Sequence, residues 1–322
     1  MSGPTDLDEV AARLTERLGD RVRLDASADR ASWYRVGGPV AIWVDVASVD
    51  DLSALAAALA AALDGSDVPL TVVGEGSNLL VTDAGYDGVI VHLDRAGAFG
   101  DVIFDDAGAA VTVGGAVRMP DLARRCAEAG HGGLSWMAGI PGSIGGAVRM
   151  NAGVKAGEVE VRHSLDWAEL VDLGTGEVVR RPSEWFEFGY RRSRVGPNDV
   201  VTSARFRTQP GKPEDIAAEN AVHLRHRRDF QETVRTAGSV WTNPPGSSAW
   251  QAVSDAGAQG LRVGTAQVSP KHANFIVVDP GGAADDVHAL MAQVRQMVHQ
   301  HSGVVLEAET VMIGFPPFEE LT

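Results

Sequence analysis

Apolar positions recur along this chain at two spacings. Leu52, Leu55, Ala56, Leu59 and Leu63 lie three or four residues apart and predict a helix, which Ser48 caps. Leu7–Leu18 reads as a short amphipathic helix, and helices are also expected over Asp121–Ala129 and over Asp215–Asp229, which carries basic side chains. The same apolar spacing predicts one over Ala284–His299, with Val287, Leu290, Met291, Val294 and Val298 on a single face. Short apolar runs predict strands at Ala41–Val46, Leu70–Val73, Gly88–Leu93, Ala109–Val113 and Asn274–Val278, and a closing strand over Val304–Ile313. Leu165–Leu173 and Glu177–Arg181, joined through Gly174-Thr175-Gly176, predict a hairpin. Helices interleaved with paired strands make the fold class α+β. The turn-rich stretch Gln209–Pro213 marks a domain boundary, after a lead-in over residues 1–30 and a first domain over 31–209; a second covers 210–322.

The charge balance narrows the partners. The chain has 322 residues and a formal charge of −15 at pH 7, which opposes binding to nucleic acid or an acidic membrane surface. Its single cysteine, Cys126, excludes an intrachain disulfide and argues against a thiolate metal site. The N-terminal MSGPTDLDEVAARL is acidic and lacks the apolar segment of a signal peptide, and the longest apolar stretch, Ala54–Leu63, is too short to span a bilayer. A cytoplasmic protein is expected.

Three glycine-rich elements stand in the first half: Arg35-Val36-Gly37-Gly38, Gly74-Glu75-Gly76-Ser77-Asn78, and the run from Gly139 through Gly146. None matches the phosphate loop or the dinucleotide fingerprint. Each alone reads as a turn; three in order suggest a large cofactor with a pyrophosphate, approached by backbone N–H groups. The nine histidines show no metal-ligand spacing, so no metal is expected. Arg225, Arg227 and Arg228, with Arg191, Arg192 and Arg194, are the dense basic stretches of an acidic chain. They suit exposed ion pairing or recognition of an anion such as a nucleotide sugar diphosphate. On the expected closing strand, Glu307 and Glu309 share one face.

Taken in order, SWYRVGG, VVGEGSNLL, GIPGSIGGAV with MNAG, FGYRRS, AGSVWTNPPG, KHANFIV and LEAETVMIG run from Ser32 to Gly314. In this order they resemble the MurB family of UDP-N-acetylenolpyruvoylglucosamine reductases. The resemblance implies two N-terminal flavin-binding subdomains of the vanillyl-alcohol-oxidase (PCMH) type and a C-terminal α+β substrate domain. It implies FAD, held by Arg35, Gly37, Gly38, Gly74, Gly76, Ser77, Asn78, Leu79, Gly139, Pro141, Gly142, Ser143, Gly145 and Gly146. The FAD is expected to be noncovalent, since no histidine or cysteine is positioned for a link. Family chemistry reduces an enol ether conjugated to a carboxylate, with hydride passing from NADPH by way of the flavin to the β-carbon and a proton added at the α-carbon. That needs a cation near the enolate and an acid near the carbon.

By the same resemblance Arg191 matches the enolate-stabilising arginine, Ser239 the proton donor, and Glu309, not Glu307, the terminal carboxylate. Tyr190, Arg228 and Asn243 are expected at the UDP-sugar, and the protein is expected to be monomeric. The chain departs from the family at Val311, usually arginine, at Val154-Lys155-Ala156, usually Ala-Tyr-Gly, and at Asp229–Glu232, where a Lys-x-Pro segment usually stands. Arg227 or Arg228 can substitute there. Two other readings stay open: a flavin oxidase acting on an alcohol or sugar, and a flavin protein without catalysis.

Overall fold

The computed structural model describes residues 4–27, 31–62, 68–154, 158–233 and 235–321. Leu63, Lys155 and Ala156 fall outside them. The chain divides into two compact units, and neither is continuous in sequence. The first comprises residues 1–26, 40–75 and 87–224; the second comprises 27–39, 76–86 and 225–322.

Besides two short two-stranded ladders, the first unit contains two larger sheets. One has four strands, ordered Val22–Ala26, Val40–Val46, Tyr86–Leu93 and Leu70–Val73. Its first pair is antiparallel and its last pair parallel. Helices Pro4–Leu18 and Val49–Ala62 cover it, with Val10, Leu14, Leu52 and Leu55 buried among Ile42, Val44, Val89 and Val91. The predicted cap is present: the Ser48 hydroxyl accepts from the Asp51 N–H at 3.1 Å, and the Asp51 carboxylate accepts from the Ala47 N–H at 2.9 Å. The strand Val22–Ala26 escaped the pattern because three of its five side chains are exposed, which leaves no apolar run to read.

The other sheet is antiparallel, ordered Val178–Pro182, Leu165–Asp172, Asp199–Arg207, Ala110–Gly114 and Val102–Phe104. The predicted hairpin pairs Val171 with Val178 and Trp167 with Pro182. Helix Met119–Ala129 buries Leu122, Ala123 and Cys126 in a cluster with Val111, Leu165 and Phe206.

A helix also forms where the glycine run predicted a loop. Ile144–Met150 is helical in spite of Gly145 and Gly146, each costing ~1 kcal/mol relative to alanine. Ser143 caps its start and Asn151, in the left-handed region at φ 44°, ends it.

In the second unit, antiparallel strands Arg262–Val263, Ala266–Val268 and Ile276–Val278 lie against helix Ala284–Ser302, whose predicted apolar face is buried. Residues 304–310 do not form the expected strand. Only Val311–Ile313 is a strand, and it runs parallel to Leu79–Val81 in the register Val311–Leu79. Alternation therefore fails around the two carboxylates: Glu307 is exposed and Glu309 half-buried.

Candidate functional site

In the first unit, a pocket is lined by Gly74, His92, Ser143, Gly145, Gly146 and Arg149, among others. Its glycines have distinct reasons. A Cβ on Gly74 would overlap the Ser143 hydroxyl. On Gly145 it would lie 3.2 Å from the Val201 carbonyl oxygen and 3.3 Å from that of Gly115, so the bare backbone lets the helix Ile144–Met150 approach the sheet. Gly146 is different: its Cβ would meet only the Ser143 hydroxyl, at an ordinary 3.5 Å. Protein packing does not require glycine there.

The amides of the run do not all face a ligand. Ile144 donates to the Val117 carbonyl at 2.8 Å, Gly145 to the Gly115 carbonyl at 2.9 Å, and Gly146 to the Ser143 hydroxyl at 3.3 Å. What Gly145 and Gly146 offer the pocket is close approach rather than a row of unspent donors. Gly139 has a packing reason as well, since its Cβ would stand 3.1 Å from the His223 carbonyl oxygen. Gly142 adopts φ 118°, and its carbonyl accepts from Met119 at 2.9 Å; Pro141 adjoins it.

His92 was not singled out from the sequence, where it reads as the polar residue of an apolar strand. Its Nδ1 lies 2.8 Å from Asp45 Oδ1, an oxygen that also accepts from Trp43 Nε1 at 2.9 Å, and Arg23 pairs with the same carboxylate. Burial lowers the His92 pKa, so the neutral ring is favoured at neutral pH.

Arg191 sits at the tip of a tight turn whose base is closed by mutual backbone hydrogen bonds between Gly189 and Arg192, at 3.0 and 3.3 Å. Arg191 itself is in the left-handed region, at φ 56°, and its Nη2 donates to the Gly153 carbonyl at 3.2 Å. Tyr190 beside it is exposed, with the Arg191 guanidinium 5.2 Å from its ring centre.

In the second unit the structure brings Ser239, Glu309 and Asn78 into one network. The segment Ser239–Thr242 lies between residues 274–275 and 307–310. Ser239 bridges Phe275, the Val240 N–H donates to the Asn274 carbonyl at 2.9 Å, and the Val240 carbonyl accepts from Glu309 at 2.8 Å. Asn78 Nδ2 donates to the Glu309 carbonyl at 2.9 Å, across 231 residues of sequence. Asn274, also missed, clamps Trp241: its Oδ1 accepts from the Trp241 N–H and its Nδ2 donates to the Trp241 carbonyl, both at 2.9 Å.

Gly76 and Ser77 of GEGSN and the SWYRVGG segment also belong to this unit. Gly76 (φ 65°) accepts from the Trp33 N–H at 3.0 Å, and a Cβ on it would overlap the Ala31 carbonyl oxygen. Ser77 follows it, and the Leu79 carbonyl accepts from the Ser32 hydroxyl. Arg35 has φ 56°; a Cβ on Gly37 would reach the Val81 carbonyl oxygen at 2.5 Å, and one on Gly38 would overlap that of Asp83. Arg228 is exposed and pairs with Asp229 at 3.2 Å, whereas Arg227 is half-buried, 5.6 Å from the Trp33 ring centre, where burial lowers its pKa. Lys271 holds the end of the helix Pro213–Phe230 that carries both, donating to the Arg228 carbonyl at 2.6 Å and the Gln231 carbonyl at 2.8 Å. Asn243 Oδ1 accepts from the Ala249 N–H at 2.9 Å.

The residues fit a flavin. The pocket wall at Gly145 and Gly146 leaves room for a ligand, and Cys126 is buried in a helix with its thiol pushed by desolvation up to about 12. Among the described residues, no group of three or more His, Cys, Asp or Glu could hold a metal ion, and no helix is long and apolar enough to cross a membrane.

Comparison with known proteins gives two family matches. Residues 229–313 match the C-terminal domain of UDP-N-acetylenolpyruvoylglucosamine reductase, and residues 40–181 match an FAD binding domain. The chain is 37% identical to the UDP-N-acetylenolpyruvoylglucosamine reductase of Geobacter metallireducens, covering 95% of this chain and 99% of that one. It is 39% identical to that of Syntrophotalea carbinolica, covering 95% and 98%. The crystal structure of UDP-N-acetylenolpyruvylglucosamine reductase from Thermus caldophilus superposes with a TM-score of 0.74 at 32% identity, covering 91% of this chain and 98% of that one.

Proposed function

The chain belongs to the MurB family of UDP-N-acetylenolpyruvoylglucosamine reductases, and we propose that it reduces UDP-N-acetylglucosamine enolpyruvate to UDP-N-acetylmuramate with NADPH as hydride donor. It is an oxidoreductase of peptidoglycan precursor synthesis with an FAD-binding domain. In this reading the protein is a cytoplasmic monomer serving cell-wall growth, shape and division. Residues 31–209 hold the cofactor and 210–322 the sugar nucleotide.

FAD, when bound, supplies two-electron hydride chemistry between the nicotinamide and the enolpyruvyl group. The side chains do the rest. Arg191 offers two parallel N–H groups to the substrate carboxylate, where negative charge grows as the enolate forms. The Ser239 hydroxyl delivers a proton to the α-carbon. Glu309 assists the enolate as an acid, and Tyr190, Arg228 and Asn243 meet the sugar nucleotide. The observation that carries this reading is the tie between Ser239–Thr242 and Glu309, closed by the bond from Glu309 to the Val240 carbonyl at 2.8 Å. It sets a hydroxyl and a carboxyl on neighbouring, mutually fixed segments.

The two half-reactions test it separately. NADPH should bleach the flavin of the purified protein, and the enolpyruvyl sugar nucleotide should then restore the colour. Bleaching by an alcohol or sugar without NADPH would favour the oxidase reading; bleaching without recolouring would favour a protein that has lost catalysis.

The cofactor pocket has its own test. Gly146→Ala adds a methyl that the protein accommodates at 3.5 Å and that raises helix propensity by ~1 kcal/mol. With FAD against Gly146, the variant should keep or raise its apo-protein melting temperature while its FAD dissociation constant rises about tenfold or more. Unchanged FAD affinity, measured by quenching of flavin fluorescence, would move the cofactor off this glycine.

A further inference from the structure

The FGYRRS loop hangs on a buried asparagine that the reaction chemistry does not use. Asn151 is fully buried. Its Nδ2 donates to Glu160 Oε2 at 2.9 Å and to the Gly189 carbonyl at 3.0 Å, while its Oδ1 accepts from the Arg162 N–H at 3.1 Å. Glu160 is 1% exposed, and its carboxylate also meets the Arg162 guanidinium at 2.9 Å. A carboxylate that deep is tolerable only when its oxygens are satisfied.

Gly189 is the base of the turn that carries Arg191, and the Arg191 guanidinium returns to the carbonyl of Gly153, two residues beyond Asn151. Gly153 in turn pairs with Glu160 across a short antiparallel ladder. The backbone of the turn and the head of its arginine are thus both fastened to the segment Asn151–Gly153. We infer that Asn151, backed by Glu160, is the positioning residue for Arg191 and sets the direction in which the guanidinium meets the substrate carboxylate. Only an amide meets the demands of the position. It donates to a carboxylate and a carbonyl, accepts from an N–H, and tolerates the left-handed backbone at φ 44°. Aspartate would set a second buried charge against Glu160.

This inference rests on Arg191 being the group that faces the carboxylate, and a double-mutant cycle on the holoenzyme separates the two claims. Asn151→Gly keeps the left-handed backbone and removes the amide. NADPH should bleach its flavin at the wild-type rate, while recolouring by UDP-N-acetylglucosamine enolpyruvate should slow about ten- to a hundredfold, the cost of a misdirected group. In an Arg191→Ala background, Asn151→Gly should slow recolouring no further. Should Asn151→Gly fail to fold, Glu160→Gln, which weakens the same support, should give a smaller slowing of recolouring that likewise vanishes in the Arg191→Ala background. Losses that multiply in the double variant, or equal slowing of both half-reactions, would overturn the positioning role alone. A silent Arg191→Ala would overturn the reading of Arg191 and this inference with it.

Discussion

Ser239→Ala protein should bleach with NADPH at the wild-type rate and recolour with the enolpyruvyl sugar about a hundredfold to ten-thousandfold more slowly, the usual range for loss of one positioned proton donor. The first half-reaction needs hydride geometry only. The second also needs a proton delivered to carbon, and Ser239 is assigned to that step alone. The substitution removes one oxygen from a segment whose Val240 backbone bonds, to Asn274 and Glu309, involve no atom of the serine side chain, so folding should hold. Rapid-mixing absorbance of the flavin decides. Equal impairment of bleaching and recolouring, or none of either, would remove Ser239 from the role of proton donor.

Asn274→Ala should produce a large loss of stability. Asn274 is buried, and its amide satisfies both the N–H and the carbonyl of Trp241. Alanine leaves two buried backbone groups without their partners, at about 1–3 kcal/mol each. Trp241 is 2% exposed in the core of the second unit, so water cannot readily replace the amide. Asn274→Asp keeps the acceptor but buries a charge and sets an oxygen against the Trp241 carbonyl, so at neutral pH its urea midpoint should fall at least as far as that of alanine. The surviving folded fraction of Asn274→Ala should also recolour slowly, because the clamp holds the segment that carries Ser239. A midpoint within error of wild type would show that Trp241 finds other partners.

Much of this was legible from local signals. The helices over 49–62 and 284–302 and the hairpin 165–182 followed from apolar spacing and turn residues, because a helix or hairpin is decided largely by side chains a few positions apart. Ser48 announced its cap for the same reason. The glycine elements were visible, but their meaning was not. Local propensity gives no helix at Gly145 and Gly146, and only the approach of the Gly115 and Val201 carbonyls accounts for bare backbone at Gly145.

The ordered motifs named the family and, through it, Arg191, Ser239 and Glu309. Tertiary structure alone decided what holds them. Asn78 reaches Glu309 across 231 residues, Asn274 clamps a segment 33 residues away, and Asn151 fastens a turn 38 residues on. It also decided that residues 304–310 are held by separate hydrogen bonds rather than as a strand, and that segments 27–39 and 76–86 belong with the C-terminal unit. Such contacts leave no period in the sequence. An amide that bonds a distant carbonyl looks, along the chain, like any other polar residue, and its partner is fixed only when burial removes water as the alternative.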